Sequence, residues 1–200
     1  MNVDRAALRH ELRNRRRALA AHERIGAAER LAIRLFALPF APTSGYVAGY
    51  WAMDGEIALH AWQLKLPVGC IYCLPVLHEE RLHFAPWRPG DPLVSNRFGI
   101  PEPAIDSPGS LLGAQDMTLV VMPLVGFDSQ GHRLGMGGGW YDRSFAFRQQ
   151  LPAPPWLVGA GFDTQRIATL DTAAWDVALD AVCTESITYD CRAFRTPISV

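Results

Sequence analysis

The chain has 200 residues, 49% of them hydrophobic and 20% charged, with a formal net charge of −1. That length suits one domain with room for a sizeable core, and the composition is that of an ordinary globular protein. A charge so near zero gives no global field that would draw the chain to nucleic acid or to a membrane surface. No apolar run reaches membrane-spanning length and no signal peptide opens the chain, so a cytoplasmic protein is expected.

The charge is nevertheless uneven. Residues 1–34 carry nine arginines (5, 9, 13, 15, 16, 17, 24, 30 and 34) against Asp4, Glu11, Glu23 and Glu29, a balance of +5 that leaves −6 for the remainder, and Lys65 is the sole lysine. Asp4 is placed to cap a helix from Arg5 to about Ala20, with Leu8, Leu12 and Leu19 along one stripe and arginines on the other faces. A second helix is expected from about Glu23 to Leu38, burying Leu31, Leu35 and Leu38. No aromatics interleave with the arginines, which argues against a nucleic-acid surface. Gly45–Trp51 reads as a strand, Met53-Asp-Gly as a turn, and Glu56 as the opening of a short helix reaching about Leu64. Glu56 either favours that helix's dipole or lines a ligand site beyond the strand's carboxyl end.

Val68–Leu74 predicts a second strand, ending at Pro75. Cys70 and Cys73 have CxxC spacing, but on a strand they point to opposite faces, so buried structural thiols are expected rather than zinc or redox chemistry; Cys183 and Cys191 complete no zinc pattern. His78-Glu-Glu-Arg81 is a polar turn and Leu82–Trp87 an edge hairpin partner, given Pro86. His78 and His83 lack a spacing partner for a metal. Asn96–Pro103 is expected to be rigid and extended, because each proline restricts the residue before it. Residues 104–115 read as a surface connection.

The richest stretch runs from Thr118 to Arg143. Its apolar run, Leu119–Phe127, predicts a strand buried on both faces. Asp128–Gly131 is a turn, and Arg133-Leu-Gly-Met-Gly-Gly-Gly139 precedes a helix from Trp140 to Leu151. Glycines permit positive φ and close approach of the backbone, and the free amides of a helix start suit phosphate. Arg133 and Arg143 are candidate phosphate donors and Asp142 a candidate Mg²⁺ ligand. The pattern is neither Gly-x-Gly-x-x-Gly nor a P-loop, and a tight structural turn is the alternative. Beyond it lie a buried strand at Trp156–Phe162, a short helical piece at Asp171–Ala174 and a strand at Ala181–Thr184. Residues 186–200 show no strong pattern and are expected to form a partly disordered tail.

Pro123-Leu-Val-Gly-Phe-Asp-x-x-Gly-x-Arg-Leu-Gly-x-Gly-Gly-Gly-Trp-Tyr-Asp-Arg143 resembles the signature of the 5-formyltetrahydrofolate cyclo-ligases, also called methenyltetrahydrofolate synthetases, with weaker likeness over residues 5–185. The resemblance implies a three-layer, Rossmann-like α/β fold with a mostly parallel central sheet and an N-terminal helical pair, in one domain over 1–185. It implies ATP- and Mg²⁺-dependent cyclisation of 5-formyltetrahydrofolate, polyglutamylated or not, to 5,10-methenyltetrahydrofolate through a phosphorylated formyl intermediate. The matching positions imply a nucleotide site at Arg5, Arg9, Arg133, Leu134, Gly135, Met136, Gly137, Gly138, Gly139, Trp140 and Tyr141. They imply a folate site at Trp51, Met53, Glu56 and Phe98, and Mg²⁺ ligands at Asp142 and Asp176, with Asp180 structural. Arg133, Tyr141 and Glu56 are the expected catalytic groups. The implied partner is a small molecule, with no nucleic acid or membrane, and the implied protein a monomer or weak dimer. The rival readings are a non-catalytic nucleotide-binding protein and a sugar-phosphate isomerase or CoA-transferase-like enzyme on a related scaffold.

Overall fold

The computed structural model describes residues 4–105 and 108–194. In chain order its elements are α1 (Arg5–Arg17), α2 (Ala21–Phe36), β1 (Ser44–Ala48), α3 (His60–Gln63), β2 (Gly69–His78), β3 (Arg81–Pro86), β4 (Leu93–Ser95), β5 (Pro101–Pro103), β6 (Met117–Pro123), β7 (Gly126–Phe127), β8 (Arg133–Leu134), α4 (Trp140–Phe145), β9 (Trp156–Ala160), β10 (Ala181–Cys183) and β11 (Thr188–Asp190). A seven-stranded sheet has the order β11-β10-β9-β6-β1-β2-β3. Its five inner strands are parallel, and β3 and β11 close the edges antiparallel. This is the expected α/β architecture.

Successive residues of the inner strands feed opposite layers, and both layers are buried. Val47, Leu119, Val121 and Val158 face a core shared with Leu31 and Leu35 of α2 and Trp62 of α3. Ala48, Val120, Met122 and Leu157 face a second core with Phe145 of α4. Two buried faces explain why Leu119–Met122 is apolar without alternation. Helix α1 belongs to neither layer. Its Leu12 packs with Val125, Leu134 and Leu170 in a small separate cluster, so α1 lies against the segments that follow β6.

Several local expectations change. Helix α1 stops at Arg17 because Glu23 reaches back to accept from the Ala20 amide at 2.7 Å and starts α2 early. Strand β2 runs on through Pro75: pairing with β1 ends at Cys73, so the proline sits where β2 has only β3 beside it. The apolar run after Leu119 is not one strand, since β6 ends at Pro123 and a small β7–β8 hairpin follows. Asp128 builds that hairpin's turn, accepting from the amides of Gln130, His132 and Leu170 at 3.0, 3.1 and 3.0 Å. Residues 96–103 are extended only over Pro101–Pro103, the second strand of the β4–β5 hairpin; residues before it form the tip, turning at Gly99 with φ 73°. Residues 171–174 form no helix, and β11 lies where a patternless tail was expected; residues 195–200 fall outside the described residues. No described helix is long and apolar enough to cross a membrane.

Candidate active site

The chain places strands on one side of β1 through β2 and β3, then returns to the other side through β6, β9 and β10. The order therefore reverses between β1 and β6, and the carboxyl ends of those two strands frame the crevice where open α/β sheets bind ligands. A cavity of about 320 Å³ lies there. Of the site residues named from the sequence, Arg5, Arg9, Trp51, Met53, Glu56, Phe98, Arg133 through Asp142, and Asp176 line it, and Arg143 does not.

The glycine loop follows β8. Gly137 and Gly139 hold φ of 100° and 65°, values that a side chain would strain. Among the described residues, no backbone amide from Gly135 to Asp142 donates a hydrogen bond within the protein, and the first to do so is Arg143, to Gly139 O at 2.9 Å. Arg9 Nε instead donates to Gly135 O at 2.8 Å, drawing the α1 guanidinium onto the loop. Helix α4 covers only Trp140–Phe145 before tightening to a 3-10 turn over Ala146–Gln149. So short a helix aligns few peptide dipoles, so an anion placed here would meet the loop amides themselves.

Arg133 differs from its expected role. Its side chain is 6% exposed; Nη2 donates to Asp142 Oδ1 at 2.5 Å and Nη1 to Val177 O. The Val177 amide donates to the same Asp142 oxygen at 3.1 Å. The guanidinium is thus already bridged to protein groups rather than open as a bidentate phosphate fork. Burial holds its pKa below the usual arginine value, against the pull of Asp142 and Asp176. Arg143 donates to the Glu80 and Gly138 carbonyls and its guanidinium stands 5.0 Å from the Trp140 ring, with Arg97 at 5.1 Å from the same ring.

Asp176 Oδ2 accepts from Arg5 Nη2 at 3.1 Å and from the Ala173 amide at 2.9 Å. Asp142 and Asp176 are therefore each paired to an arginine through one oxygen. Asp142 Oδ2 and Asp176 Oδ1 have no hydrogen bond among the described residues. No group of three or more His, Cys, Asp or Glu converges as a metal site there, so the residues fit Mg²⁺ only in its habitual mode, with one or two carboxylates and the remaining ligands from phosphate and water. Asp180 is buried with Arg148 and accepts from the Leu157 amide at 2.7 Å, a structural position. His78 and His83 meet edge-on, ring centres 5.0 Å apart, and the four cysteines are free thiols.

The other wall is the turn after β1. Glu56 opens no helix. It closes a tight turn in which Asp54 (φ 53°) and Gly55 (φ 76°) are both left-handed, as type I′ requires. The Glu56 amide donates to Met53 O at 2.9 Å, and Glu56 Oε2 accepts from the Met53 amide at 2.9 Å. Burial pushes the Glu56 carboxyl above the usual range, only partly opposed by the Met53 amide and Arg16. Tyr141 is raised too, first by burial and then by facing Glu56. Trp51 meets Trp87 edge-on at 5.7 Å. Phe98 is 56% exposed and meets Trp140 edge-on at 6.0 Å; its hairpin tip is tied by Asn96 Oδ1, which accepts from the Phe98 and Ile100 amides.

Several residues of the site were not singled out from the sequence. Tyr50 lines the cavity and donates to Ile57 O at 2.6 Å. Gln165 is buried and donates to the Leu124 and Val125 carbonyls, holding the end of β6. Arg13, Arg16 and Arg17 of α1 all bind Asp54. For Arg16 a signal existed: with Leu8, Leu12 and Leu19 it falls on the apolar stripe, where an arginine must be buried.

The family model described as the 5-formyltetrahydrofolate cyclo-ligase family matches residues 1–185. The Escherichia coli K12 5-formyltetrahydrofolate cyclo-ligase is 35% identical over 179 residues, covering 88% of this chain and 97% of that protein. The Haemophilus influenzae protein of the same name is 38% identical over 138 residues, 66% of this chain and 72% of that one. Among solved structures, Aquifex aeolicus 5,10-methenyltetrahydrofolate synthetase superposes with a TM-score of 0.78 at 26% identity, covering 98% and 95% of the two chains. The Mycoplasma pneumoniae synthetase, at 21% identity and a TM-score of 0.69 over 92% of this chain and all of that one, shares the fold. The chain belongs to the 5-formyltetrahydrofolate cyclo-ligase family.

Proposed function

We propose that this member of the cyclo-ligase family uses ATP to close 5-formyltetrahydrofolate to 5,10-methenyltetrahydrofolate, releasing ADP and phosphate. One observation carries the reading: a single cavity holds a run of backbone amides without internal partners, from Gly135 to Asp142, and a wall of aromatics around a buried carboxylate, Glu56. The first suits a polyphosphate and the second a flat heterocycle with N–H donors.

A formyl oxygen is a poor leaving group. In this reading it attacks the γ-phosphorus of ATP, the bond from that phosphorus to the ADP oxygen breaks, and an imidate-like phosphate ester results. N10 then bonds to the formyl carbon and loses its proton, and the C–O bond breaks as phosphate departs. Such phosphoryl transfer asks the protein for in-line positioning and neutralised charge. The amides of Gly135–Gly139 hold the phosphates, with Leu134 and Met136 shaping the loop. Arg9 and Arg5 add charge from α1, and Arg133 acts by fixing Asp142. Asp142 and Asp176 would hold Mg²⁺, which when bound would supply charge neutralisation at the phosphates. Glu56 accepts N–H donors of the pterin, with Trp51, Met53 and Phe98 against its ring system. Trp140 and Tyr141 separate the folate from the nucleotide.

The test is direct: the protein is incubated with 5-formyltetrahydrofolate, ATP and Mg²⁺, and the methenyl product is followed by its absorbance. Product that depends on both ATP and folate is expected. ATP binding without product would leave a nucleotide-binding protein and overturn the reading.

A further inference from the structure

Arg16 is the most completely buried charge near the cavity, with 0% side-chain exposure, and it does not line the cavity itself. Its guanidinium is fully directed. Nε donates to Asp54 O at 3.1 Å, Nη2 to Asp54 Oδ2 at 3.0 Å, and Nη1 to Leu124 O at 3.2 Å. Nη1 also lies 3.6 Å from Glu56 Oε1. One side chain thus ties the turn after β1 to the backbone after β6, the two strand ends that frame the site. The tie acts at a strained point. Asp54 is one of two non-glycine residues with positive φ among those described, a conformation that persists only where surroundings enforce it.

We propose that Arg16 is a positioning residue for folate binding: from behind the cavity wall it locks the Asp54–Gly55 turn to the end of β6 and aims the Glu56 carboxylate at the substrate's N–H donors. The inference rests on the functional reading above. Arg13 and Arg17 brace the same turn from the rim, both on Asp54, but neither reaches β6.

The charge of Arg16 matters as well as its shape. Glu56 is faced by Arg16 and Arg13 of α1, by Asp54 of its own turn, by Tyr50 after β1 and by Tyr141 of α4. Of these side chains only the two arginines favour its ionised form, beside the Met53 amide that donates to it. Burial works against that form, and an acceptor of pterin N–H donors must be ionised to offer both oxygens. Removing Arg16 therefore costs folate binding in two ways, aim and charge, and the second deepens as pH falls.

The experiment measures 5-formyltetrahydrofolate affinity by tryptophan fluorescence, and ATP KM and kcat by product absorbance, from about pH 5 to about pH 8. Arg16→Met is expected to weaken folate binding about ten- to a hundredfold near neutrality, to leave the ATP KM unchanged, and to move the acidic loss of folate affinity to higher pH. Arg16→Lys restores the charge but not the fork, so the pH profile returns to that of the wild type while part of the affinity stays lost. Arg15→Ala, an exposed neighbour paired only with Glu11, is the unchanged control. Should Arg16→Met fail to fold, Asp54→Asn keeps the left-handed turn while weakening its anchor, with folate affinity falling and the ATP KM unmoved. Equal weakening of both substrates at every pH would make Arg16 a general structural residue and overturn the inference. So would unchanged folate affinity in Arg16→Met. A wild-type protein that binds no folate overturns the functional reading itself.

Discussion

The two walls of the cavity are built by opposite means. The glycine loop is local and open: its amides from Gly135 to Asp142 lack partners among the described residues, and its shape comes from glycines inside seven consecutive residues. The Met53–Glu56 turn is closed and held from afar. Its Met53 and Glu56 amides and its Asp54 carboxylate are engaged, and its anchors lie some forty residues back in α1 and just beyond the neighbouring strand β6 at Leu124. A site for phosphate needs unsatisfied donors, which short-range sequence supplies. A site for a specific heterocycle needs a rigid acceptor, and rigidity at a strained turn needs contacts that close over long distances.

The sharpest way to break the contrast is at Arg133, a loop-side group that is itself clamped. Arg133→Ala removes the guanidinium bonds to Asp142 and Val177 O and leaves a part-buried carboxylate with the Val177 amide but without its cation. Turnover is expected to fall by a factor on the order of a hundred or more, and stability by about 3 kcal/mol, read by product absorbance and by denaturant unfolding. Arg133→Lys should recover most of the stability and little of the rate, since an ammonium cannot bridge both partners. Full activity in the alanine variant would remove the Asp142 clamp from the mechanism.

On the opposite wall, pH separates the two substrates. Burial raises the Glu56 pKa above its ordinary value of 4.5. Folate affinity should therefore fall as pH drops through that raised value, because the protonated acid loses acceptor capacity. The stability of the ligand-free protein runs the other way. A group with a raised folded pKa contributes stability that is complete below its unfolded pKa and is lost as pH rises through the folded one. Glu56→Gln should weaken folate about tenfold or more and flatten its pH profile, with the ATP KM unaffected. Returning to the loop, Gly137→Ala places a Cβ where φ is 100° and 3.4 Å from the Arg9 guanidinium carbon. ATP affinity is expected to drop about tenfold through a strain of roughly 1–2 kcal/mol, while folate binding measured without nucleotide stays as it was.

The same contrast decides what could be read from the sequence. Strand β6, the loop and the start of α4 announce themselves in consecutive residues, and the signature from Pro123 to Arg143 carries the family with it. The Asp54-Gly55 dipeptide marks a turn, but nothing local says that three arginines of α1 converge on it. Glu56 was read as a helix opening because a carboxylate after a turn commonly is one; here its side chain returns to the Met53 amide and the helix starts only at His60. The proline rule predicts an extended stretch at residues 96–103 and holds for β5, but Asn96 and Gly99 reverse the chain ahead of both prolines. Strand β11 is three residues long and owes its existence to the open edge of β10, which no window of its own sequence records.

Phe98 joins the two walls and gives the smallest effect. It stands half exposed, with its ring edge-on to Trp140 of the glycine-loop wall and with Arg97 5.3 Å from its centre. Trp140 does not depend on it, because Arg97 and Arg143 remain within 5.1 and 5.0 Å of the indole. Phe98→Ala removes one aromatic contact worth about 0.5–1.5 kcal/mol, so folate KM should rise by roughly two- to tenfold with kcat and ATP KM unchanged. If ATP KM rises with it, the two walls are coupled through the Phe98–Trp140 edge, and the open loop is less independent of the clamped turn than its free amides imply.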